Sequence, residues 1–286
     1  MAVNRIPTVE GCRAAVARAR KAGSRIGFVP TMGARHEGHL SLIDRARGQS
    51  DWVVLSAFVN PLQFGPQEDF ERYPRDPDRD ARLAAGRGAD LVFEPSVEEI
   101  LPRPLAATVT MGGLTDALEG EARPGHFDGV LTIVTKLFNV VQPDVAVFGQ
   151  KDAQQAAAVK RLVLDLDFPV EIVVAPIVRD SDGIAISSRN AYLSAEERRS
   201  ARSLSRSLDA ARSLVEGGER DAARVERAMR DLLDGAPDVE VEYAAVVDPE
   251  RFTRVERIEG PSLAAVAARI GRTRLIDNAI LVLDDG

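Results

Sequence analysis

Two of the three histidines in this chain of 286 residues lie three positions apart, in the segment FVPTMGARHEGHLSL. His36 and His39 have a glutamate and a glycine between them, and this combination first suggests a zinc site. The zinc hydrolase helix, however, needs histidines four positions apart, and the single cysteine, Cys12, cannot provide a further cluster of ligands. The spacing therefore argues against a zinc hydrolase.

The setting of the histidines favours phosphate. Ile26–Val29 is typical of a buried strand, Gly33 permits a tight turn after it, and Gly38 lets the start of a helix approach a ligand closely. Free N–H groups and the helix dipole attract phosphate at such a position, and two imidazoles one turn apart can donate hydrogen bonds to its oxygens. The alternative is a pair of surface or capping histidines.

Composition limits the class of protein. A net charge of −7 argues against a nucleic-acid partner, and an aromatic fraction of 5% argues against stacking on single strands. We expect no membrane partner, because no apolar run approaches the ~20 residues that span a bilayer and the start lacks a signal peptide's apolar region. One cysteine suits a reducing compartment. These features predict a cytoplasmic metabolic protein.

Residues 1–177 alternate short apolar runs with longer amphipathic segments. This alternation predicts an α/β fold, with a Rossmann-like, mostly parallel sheet and helices on both faces. The predicted strands are Ile26–Val29, Trp52–Val59, Leu91–Phe93, Val145–Phe148 and Val170–Val174, and the predicted helices are Val9–Ala22, Gly38–Arg47, Pro77–Gly86, Gly129–Val141 and Ala153–Leu166.

Residues 178–286 lack this regular alternation of strands and helices. Their pattern predicts a smaller α+β carboxy-terminal lid domain. Ser194, followed by two glutamates, indicates the amino terminus of a long helix that runs to Gly217. The other predicted elements are a helix over Asp221–Leu233, a helix over Leu263–Ile270, and strands over Val239–Val247 and Arg274–Leu283.

Four polar clusters each follow a predicted strand. Pro30–Gly33 follows the first strand, Asn60–Phe64 the second, Gly149–Asp152 the fourth and Ile177–Asp180 the fifth. In open α/β sheets, ligands bind beyond the carboxyl ends of the strands. We therefore expect the four segments to converge on one crevice.

The side chains in these clusters suit a phosphate and a substrate rich in hydroxyl and amide groups. Lys151 can neutralise charge on a phosphoryl group, although a solvated pair with Asp152 is the plainer alternative. Asn60 and Gln63 both donate and accept hydrogen bonds. In DGIAISSRN, which has the composition of a flexible loop, the serines and Arg189 suit a polyphosphate, or else form an ordinary turn.

The third histidine and two absent nucleotide-binding motifs give further information. We expect the third histidine, His126, to lie in a structural loop, with Arg123 able to reach the site. The sequence contains no G-x-x-x-x-G-K-[ST] motif after a strand, which argues against a P-loop enzyme. It also lacks G-x-G-x-x-G, the fingerprint of dinucleotide-binding Rossmann domains.

The sequence resembles the pantothenate synthetase (pantoate–β-alanine ligase) family of the HxGH nucleotidyltransferase superfamily. The resemblance rests on PTMGARHEGHLSL, FVNPLQFGPQEDFERYPR, GHFDGVLTIVTKLFNVVQPDVAVFGQKDAQQ and DGIAISSRNAYLS, in the family's order. It implies ATP-dependent condensation of (R)-pantoate with β-alanine to pantothenate, AMP and diphosphate, through pantoyl adenylate. It also implies Mg2+ with ATP, no tightly bound organic cofactor, and a homodimer.

The resemblance assigns residues to roles. His39 would be the proton-donating catalytic histidine, with His36 and Lys151 beside it in the chemistry. Pantoate would be bound by Gln63, Gln155, Asn60 and Arg123, with Tyr73 nearby; β-alanine would lie by Gln63; no metal ligand is assigned. ATP would be bound by Met32, Gly33, Ala34, Arg35, His36, Glu37, Gly38, His39, Gly149, Gln150, Lys151, Asp152, Val178, Ile186, Ser187, Ser188 and Arg189.

Three residues depart from the family's usual pattern. Arg35 replaces a small or apolar residue, Gln150 replaces a common Glu, and Ile186 replaces a common Met. The alternatives to this family are another small-molecule adenylylating nucleotidyltransferase and a non-catalytic nucleotide sensor. The paired glutamines argue against the first, and the intact histidines and lysine argue against the second.

Overall fold

The computed structural model describes residues 3–66 and 68–283, and the chain forms two compact units. The sequence predicted one division after residue 177, whereas two earlier segments also belong to the second unit. The first unit runs to Gly112 and includes Arg123–Gly149 and Ala158–Pro176; the second contains Gly113–Ala122, Gln150–Ala157 and the chain from Ile177 onward.

A buried glutamine joins the two earlier segments of the second unit. Gln154, which is 4% exposed, accepts a hydrogen bond from the N–H of Glu119 at 3.1 Å. Its Nε2 donates to the carbonyl oxygens of Leu114 and Ala117, each at 2.9 Å. One side chain thus ties residues 113–122 to residues 150–157.

The first unit contains a six-stranded sheet in which all neighbouring strands are parallel, in the order β1-β4-β3-β2-β5-β6. Its strands are β1 (Asn4–Ile6), β2 (Ile26–Thr31), β3 (Trp52–Ala57), β4 (Leu91–Phe93), β5 (Val145–Gly149) and β6 (Glu171–Ala175). The helices, numbered along the whole chain, are α1 (Val9–Lys21), α2 (Glu37–Arg47), α3 (Pro77–Gly86), α4 (Val97–Ile100), α5 (Glu119–Ala122), α6 (His126–Val141), α7 (Ala153–Asp165), α8 (Ala195–Glu216) and α9 (Ala222–Asp234).

This architecture confirms the predicted Rossmann-like fold, and the five predicted strands and five predicted helices are present with small shifts at their ends. Consecutive residues of β2 show why both faces of the sheet are covered. Val29 packs in a buried cluster with Ile43 of α2, whereas the ring of Phe28 meets that of Phe138 in α6 at 6.3 Å between centroids. The sequence analysis missed β1, a three-residue edge strand.

The second unit contains an antiparallel sheet, β7 (Val239–Val247), β8 (Ser262–Ile270) and β9 (Thr273–Leu281), against which α8 and α9 pack. Ser194 caps α8 as predicted, in a reciprocal capping box with Glu197. The predicted helix over Leu263–Ile270 is wrong, because this segment is β8. Alanine favours helices intrinsically, but β8 pairs with a strand on each side, and burial in the sheet overrides that preference.

Within the described ranges, no helix has both the length and the apolar character required to cross a membrane.

Candidate functional site

The histidine pair lies where β2 gives way to α2 in the first unit. Gly33 and Ala34 adopt left-handed backbone conformations, with φ of +93° and +51°, and turn the chain off the strand. His36 is the N-cap of α2, and its ring stacks on that of His39 with 4.1 Å between centroids and 23° between planes. The structure thus brings the two predicted imidazoles together on the first turn of the helix.

Asp80 of α3 binds the main chain of this turn. Its carboxylate oxygens accept hydrogen bonds from the N–H groups of Ala34 and Arg35, both at 2.8 Å. The side chain of Arg35 turns inward and is fully buried, with Nη1 3.6 Å from Asp80. The structure therefore directs the guanidinium of Arg35 into the protein, although the sequence placed this residue among those that bind ATP.

Three other predicted site residues of the first unit differ in exposure and in their contacts. Glu37 is exposed, and its carboxylate forms an ion pair with Arg87. Met32 is close to a predicted pantoate residue, with its sulfur 3.2 Å from Nε2 of Gln63. Tyr73 is 5% exposed and packs its ring edge-on against Phe64.

Gln63 lies in a short 3₁₀ turn, Pro61–Gln63, that follows β3. Asn60 caps this turn through Oδ1, and its Nδ2 donates to Oε1 of Gln63 at 3.0 Å and to the carbonyl oxygen of Gly129 at 3.1 Å. Because Asn60 is 2% exposed and these groups bond within the protein, its side chain orients Gln63. The backbones approach closely here, since a Cβ atom on Gly129 would lie 2.2 Å from the oxygen of Leu62.

Arg123 and His126 both contact the carbonyl oxygen of Gln63. Nη2 of Arg123 donates to it at 3.2 Å, and Nδ1 of His126 lies 2.9 Å from it. Arg123 also forms two hydrogen bonds with Glu68, and burial would raise the pKa of this carboxyl but the bonds from Arg123 lower it below its usual value. His126 is the first residue of α6 and 9% exposed, in place of the predicted loop.

The contacts of His126 indicate which ring nitrogen donates and which accepts. The carbonyl oxygen of Gln63 can only accept, so Nδ1 of His126 carries a proton. Nε2 lies 3.1 Å from Nη1 of Arg123, which can only donate, so Nε2 carries no proton. Through its contact with the carbonyl oxygen, His126 helps to position Gln63.

In the second unit, Gln150–Asp152 form a 3₁₀ turn before α7. Asn278 of β9 donates from Nδ2 to the carbonyl oxygens of Gln150 and Lys151, and it accepts from Nε2 of Gln150. The Lys151 ammonium lies 3.4 Å from Asp152, and the lysine side chain is 22% exposed. Gln155 is half-buried in the first turn of α7, next to the structural Gln154.

The segment predicted as a flexible loop is a small hairpin followed by a 3₁₀ turn. The N–H of Ile186 donates to the carbonyl oxygen of Val178 at 2.9 Å, and Arg179 forms two hydrogen bonds with Asp277 of β9. Ser187 then caps the turn Ser188–Tyr192 by accepting from the N–H of Arg189. These bonds order the backbone that carries the predicted serine and arginine ligands.

Sequence analysis missed two side chains that bond to the main chain of predicted site residues, Asp80 and Asn278, and a third, Asp277, that bonds to Arg179 beside Val178. Asp277 and Asn278 interrupt the apolar run of β9, and Asp80 is buried in α3 with Ala81 and Ala84. A charged or amide side chain in such a setting usually has a partner. That local signal was present, but it did not identify the partner. Among the described residues, no group of three or more His, Cys, Asp or Glu could hold a metal ion.

Comparison with known proteins identifies the family. The family model described as pantoate-beta-alanine ligase matches residues 4–280. A pantothenate synthetase from Moorella thermoacetica is 54% identical over 280 residues, which cover 98% of this chain and 99% of that protein. A pantothenate synthetase from Pelotomaculum thermopropionicum is 52% identical over 274 residues, which cover 96% and 97%.

Solved structures agree with the sequence relatives. The crystal structure of pantothenate synthetase from Thermus thermophilus has a TM-score of 0.92 at 47% identity and covers 97% of this chain and 99% of that one. The pantoate-beta-alanine ligase from Francisella tularensis, complexed with beta-gamma ATP and beta-alanine, has a TM-score of 0.81 at 30% identity and covers 98% of each chain. The chain belongs to the pantoate–β-alanine ligase family.

Proposed function

We propose that this enzyme binds (R)-pantoate, ATP and β-alanine and joins pantoate to β-alanine in two steps through pantoyl adenylate. The products are (R)-pantothenate, AMP and diphosphate. Membership of the ligase family, which forms an amide bond, supports this function. ATP and β-alanine as substrates are supported by the ligands of the Francisella tularensis relative.

The first step joins a pantoate carboxylate oxygen to the α-phosphorus of ATP and releases diphosphate. A carboxylate is ionised at neutral pH, so this attack needs no general base. It needs in-line positioning and stabilisation of the negative charge that grows on the departing diphosphate. The protein must therefore supply hydrogen-bond donors and positive charge.

We assign this task to His39 as proton donor, with His36, Lys151 and Arg189 as further donors. The observation that carries the assignment is the stacking of His36 on His39 in the first turn of α2, which aligns two imidazoles with the positive end of the helix dipole. The bonds from Asn278 to the main chain around Lys151 support a fixed position for the lysine.

In the second step, the neutral amine of β-alanine attacks the acyl carbon of the adenylate, and AMP leaves. We assign the binding of pantoate to Gln63 and Gln155, with Gln63 also beside β-alanine. The fixed position of Gln63 supports its role, because Asn60 holds its side chain while Arg123 and His126 hold its carbonyl group. Asn60 and Arg123 then act mainly by positioning Gln63.

We propose that Mg2+ enters as part of the ATP complex. No cluster of three candidate ligands is present in the described part of the chain, and Mg2+ commonly keeps its waters and binds substrate phosphates. Asp152, half exposed beside Lys151, is the carboxylate of the 3₁₀ turn that could reach such an ion. The ion would neutralise phosphate charge.

We also propose that the enzyme is a cytoplasmic homodimer. The buried free thiol of Cys12 suits a reducing compartment, and the family resemblance supports the dimer. Light scattering of the purified protein should give twice the mass of one chain.

Exchange of labelled diphosphate into ATP tests the proposed function. Because the adenylate forms from ATP and pantoate alone, exchange should require pantoate and proceed without β-alanine. Exchange that depends strictly on β-alanine would contradict the two-step reaction.

Substitution of the glutamines tests the pantoate site. Gln63→Ala and Gln155→Ala each leave a polar group of pantoate unpaired, which should weaken pantoate binding by roughly 1–3 kcal/mol and ATP binding much less. Gln49→Ala, after the end of α2, is a matched control. Unchanged kinetics for pantoate in both variants would remove these residues from the site.

A further inference from the structure

Asp80 is a buried carboxylate that the proposed mechanism does not use. It lies in the first turns of α3 and is 2% exposed. Oδ2 accepts a hydrogen bond from the N–H of Ala34, and Oδ1 accepts one from the N–H of Arg35, each at 2.8 Å. Consecutive N–H groups that follow left-handed residues, here Gly33 and Ala34, form a concave site for an anion. The carboxylate of Asp80 fills that site.

We propose that Asp80 is a positioning residue for the adenylation step, acting through the turn that precedes His36. An alanine in a left-handed conformation is unfavourable by itself, and charge-assisted hydrogen bonds to Asp80 offset that cost. The turn ends at His36, the N-cap of α2, so its shape determines where the stacked rings of His36 and His39 lie. This inference rests on the proposed role of the two histidines.

A second contact from α3 supports this assignment. Nη1 of Arg79 donates to the carbonyl oxygen of Arg35 at 3.3 Å. Neighbouring residues of α3 therefore bind successive polar groups of the same turn, Asp80 through two N–H groups and Arg79 through one carbonyl. Because α3 packs against α2, the turn is fixed relative to the helix that bears His39.

Arg35 complicates any test of Asp80, because it depends on the same carboxylate. Its guanidinium has no hydrogen-bond partner among the described residues, and burial lowers its pKa although the charges of Asp80 and Glu94 act to raise it. Replacing Asp80 alone removes an acceptor for the turn and also leaves a buried cation without its nearest counter-charge. The two effects must be separated.

Four proteins separate them: the wild type, Asp80→Asn, the double variant Arg35→Met with Asp80→Asn, and Asp78→Asn. Asparagine keeps the shape of the side chain, but its NH2 group cannot accept a hydrogen bond. One of the two backbone N–H groups that donate to the carboxylate therefore loses its acceptor. The double variant removes both buried charges while keeping this defect. Asp78, which precedes Asp80 in α3 and has a side chain that is 77% exposed, is the matched control.

Each protein is assayed for pantoate-dependent diphosphate–ATP exchange, for conversion of preformed pantoyl adenylate with β-alanine, and for its urea unfolding midpoint. We expect Asp80→Asn to slow exchange roughly 10- to 100-fold, because small displacements of catalytic groups have effects of that size. Amide formation from the adenylate should stay close to the wild-type rate. The double variant should regain the unfolding midpoint lost by Asp80→Asn but not the exchange rate, and Asp78→Asn should match the wild type.

Recovery of exchange in the double variant would overturn the inference, because Asp80 would then serve only to balance the charge of Arg35. Equal slowing of exchange and amide formation would also overturn it, since general disruption would explain both. Wild-type exchange together with unimpaired exchange in Asp80→Asn would overturn this inference alone. Absence of exchange in the wild type would overturn the proposed function, and the inference with it.

Discussion

Asn278 holds the main chain of Lys151. Nδ2 of Asn278 donates to the carbonyl oxygen of Lys151 at 3.0 Å and to that of Gln150 at 2.9 Å, while its Oδ1 accepts from Nε2 of Gln150 at 3.1 Å. Asn278 is 4% exposed in β9, a strand of the second unit's sheet. The position of a proposed catalytic lysine is therefore set by a rigid element far along the chain.

Asn278→Asp should remove the hydrogen bonds that hold the main chain of Gln150 and Lys151 to β9. The aspartate cannot donate, so two carbonyl oxygens lose their partner and face a negative charge. We expect the free energy of unfolding to fall by roughly 1–3 kcal/mol and kcat for adenylation to fall more than the affinity for ATP. Urea titration and steady-state kinetics measure these effects. Asn139→Asp, at an exposed position of α6, is the control, and equal behaviour of the two variants would refute the role of Asn278.

His126→Phe should impair pantoate binding through Gln63. Phenylalanine removes the donor that lies 2.9 Å from the carbonyl oxygen of Gln63, whereas asparagine places an N–H near the former Nδ1. Both variants lose the contact with Arg123, so their difference isolates the bond to Gln63. We expect His126→Phe to raise the KM for pantoate by roughly 1–2 kcal/mol, about 5- to 30-fold, and His126→Asn to raise it less. Equal KM values in the two variants would argue against this bond.

Gly129→Ala should distort the turn that carries Gln63. The new Cβ would lie 2.2 Å from the oxygen of Leu62 and 2.7 Å from the nitrogen of Gln63, so the backbone must shift. We expect a loss of roughly 1–3 kcal/mol in the free energy of unfolding and a higher KM for pantoate. Gly86→Ala, in α3, adds a Cβ that meets nothing within 4 Å and should leave both values near those of the wild type. Thermal melts and pantoate titrations provide the comparison.

Glu68 should make stability depend on pH. Burial would raise the pKa of this carboxyl, but hydrogen bonds from Arg123 lower it. A carboxyl whose pKa is lower in the folded chain stabilises the fold above its unfolded pKa of about 4.3, and this contribution disappears as the pH falls through the folded value. Glu68→Gln should therefore lower the free energy of unfolding by on the order of 1 kcal/mol at neutral pH.

Urea titrations of the wild type and Glu68→Gln across the acid range measure this effect. The difference in free energy should shrink progressively below about pH 4, because the wild-type carboxyl then becomes neutral as well. A difference that does not change with pH would mean that the ion pair with Arg123 contributes nothing to the linkage.

The parallel sheet was predictable because its signals are local. A buried strand such as Val145–Phe148 is an apolar run, and a helix such as Pro77–Gly86 shows its own periodicity, so each element can be identified without its neighbours. The segment Leu263–Ile270 lacked such a signal. Its alanines and isolated valine suit a helix as well as a strand, and only pairing with β7 and β9 decides between them.

The candidate site likewise has a part that local sequence predicted and a part that it did not. The spacing of His36 and His39 predicted their shared face, because residues three apart on a helix are neighbours. The side chains that bond to the main chain of the predicted site residues were not predictable. Asp80 lies 45 residues from Arg35, and Asn278 lies 127 residues from Lys151. No sequence period connects such pairs. The inward direction of the Arg35 side chain was not predictable for the same reason, because the carboxylate beside it, that of Asp80, lies 45 residues along the chain.

His39→Ala should act on the adenylation barrier and on little else. The proposed hydrogen bond strengthens as charge moves onto the departing diphosphate, so kcat should fall by ~10²–10³ while ATP affinity changes less. Preformed pantoyl adenylate bypasses that barrier, and the variant should convert it with β-alanine at close to the normal rate. Lys151→Ala should behave alike, with Lys160→Ala on the exposed side of α7 as its control. If His39→Ala were equally slow from the preformed adenylate, the histidine would act in amide formation instead.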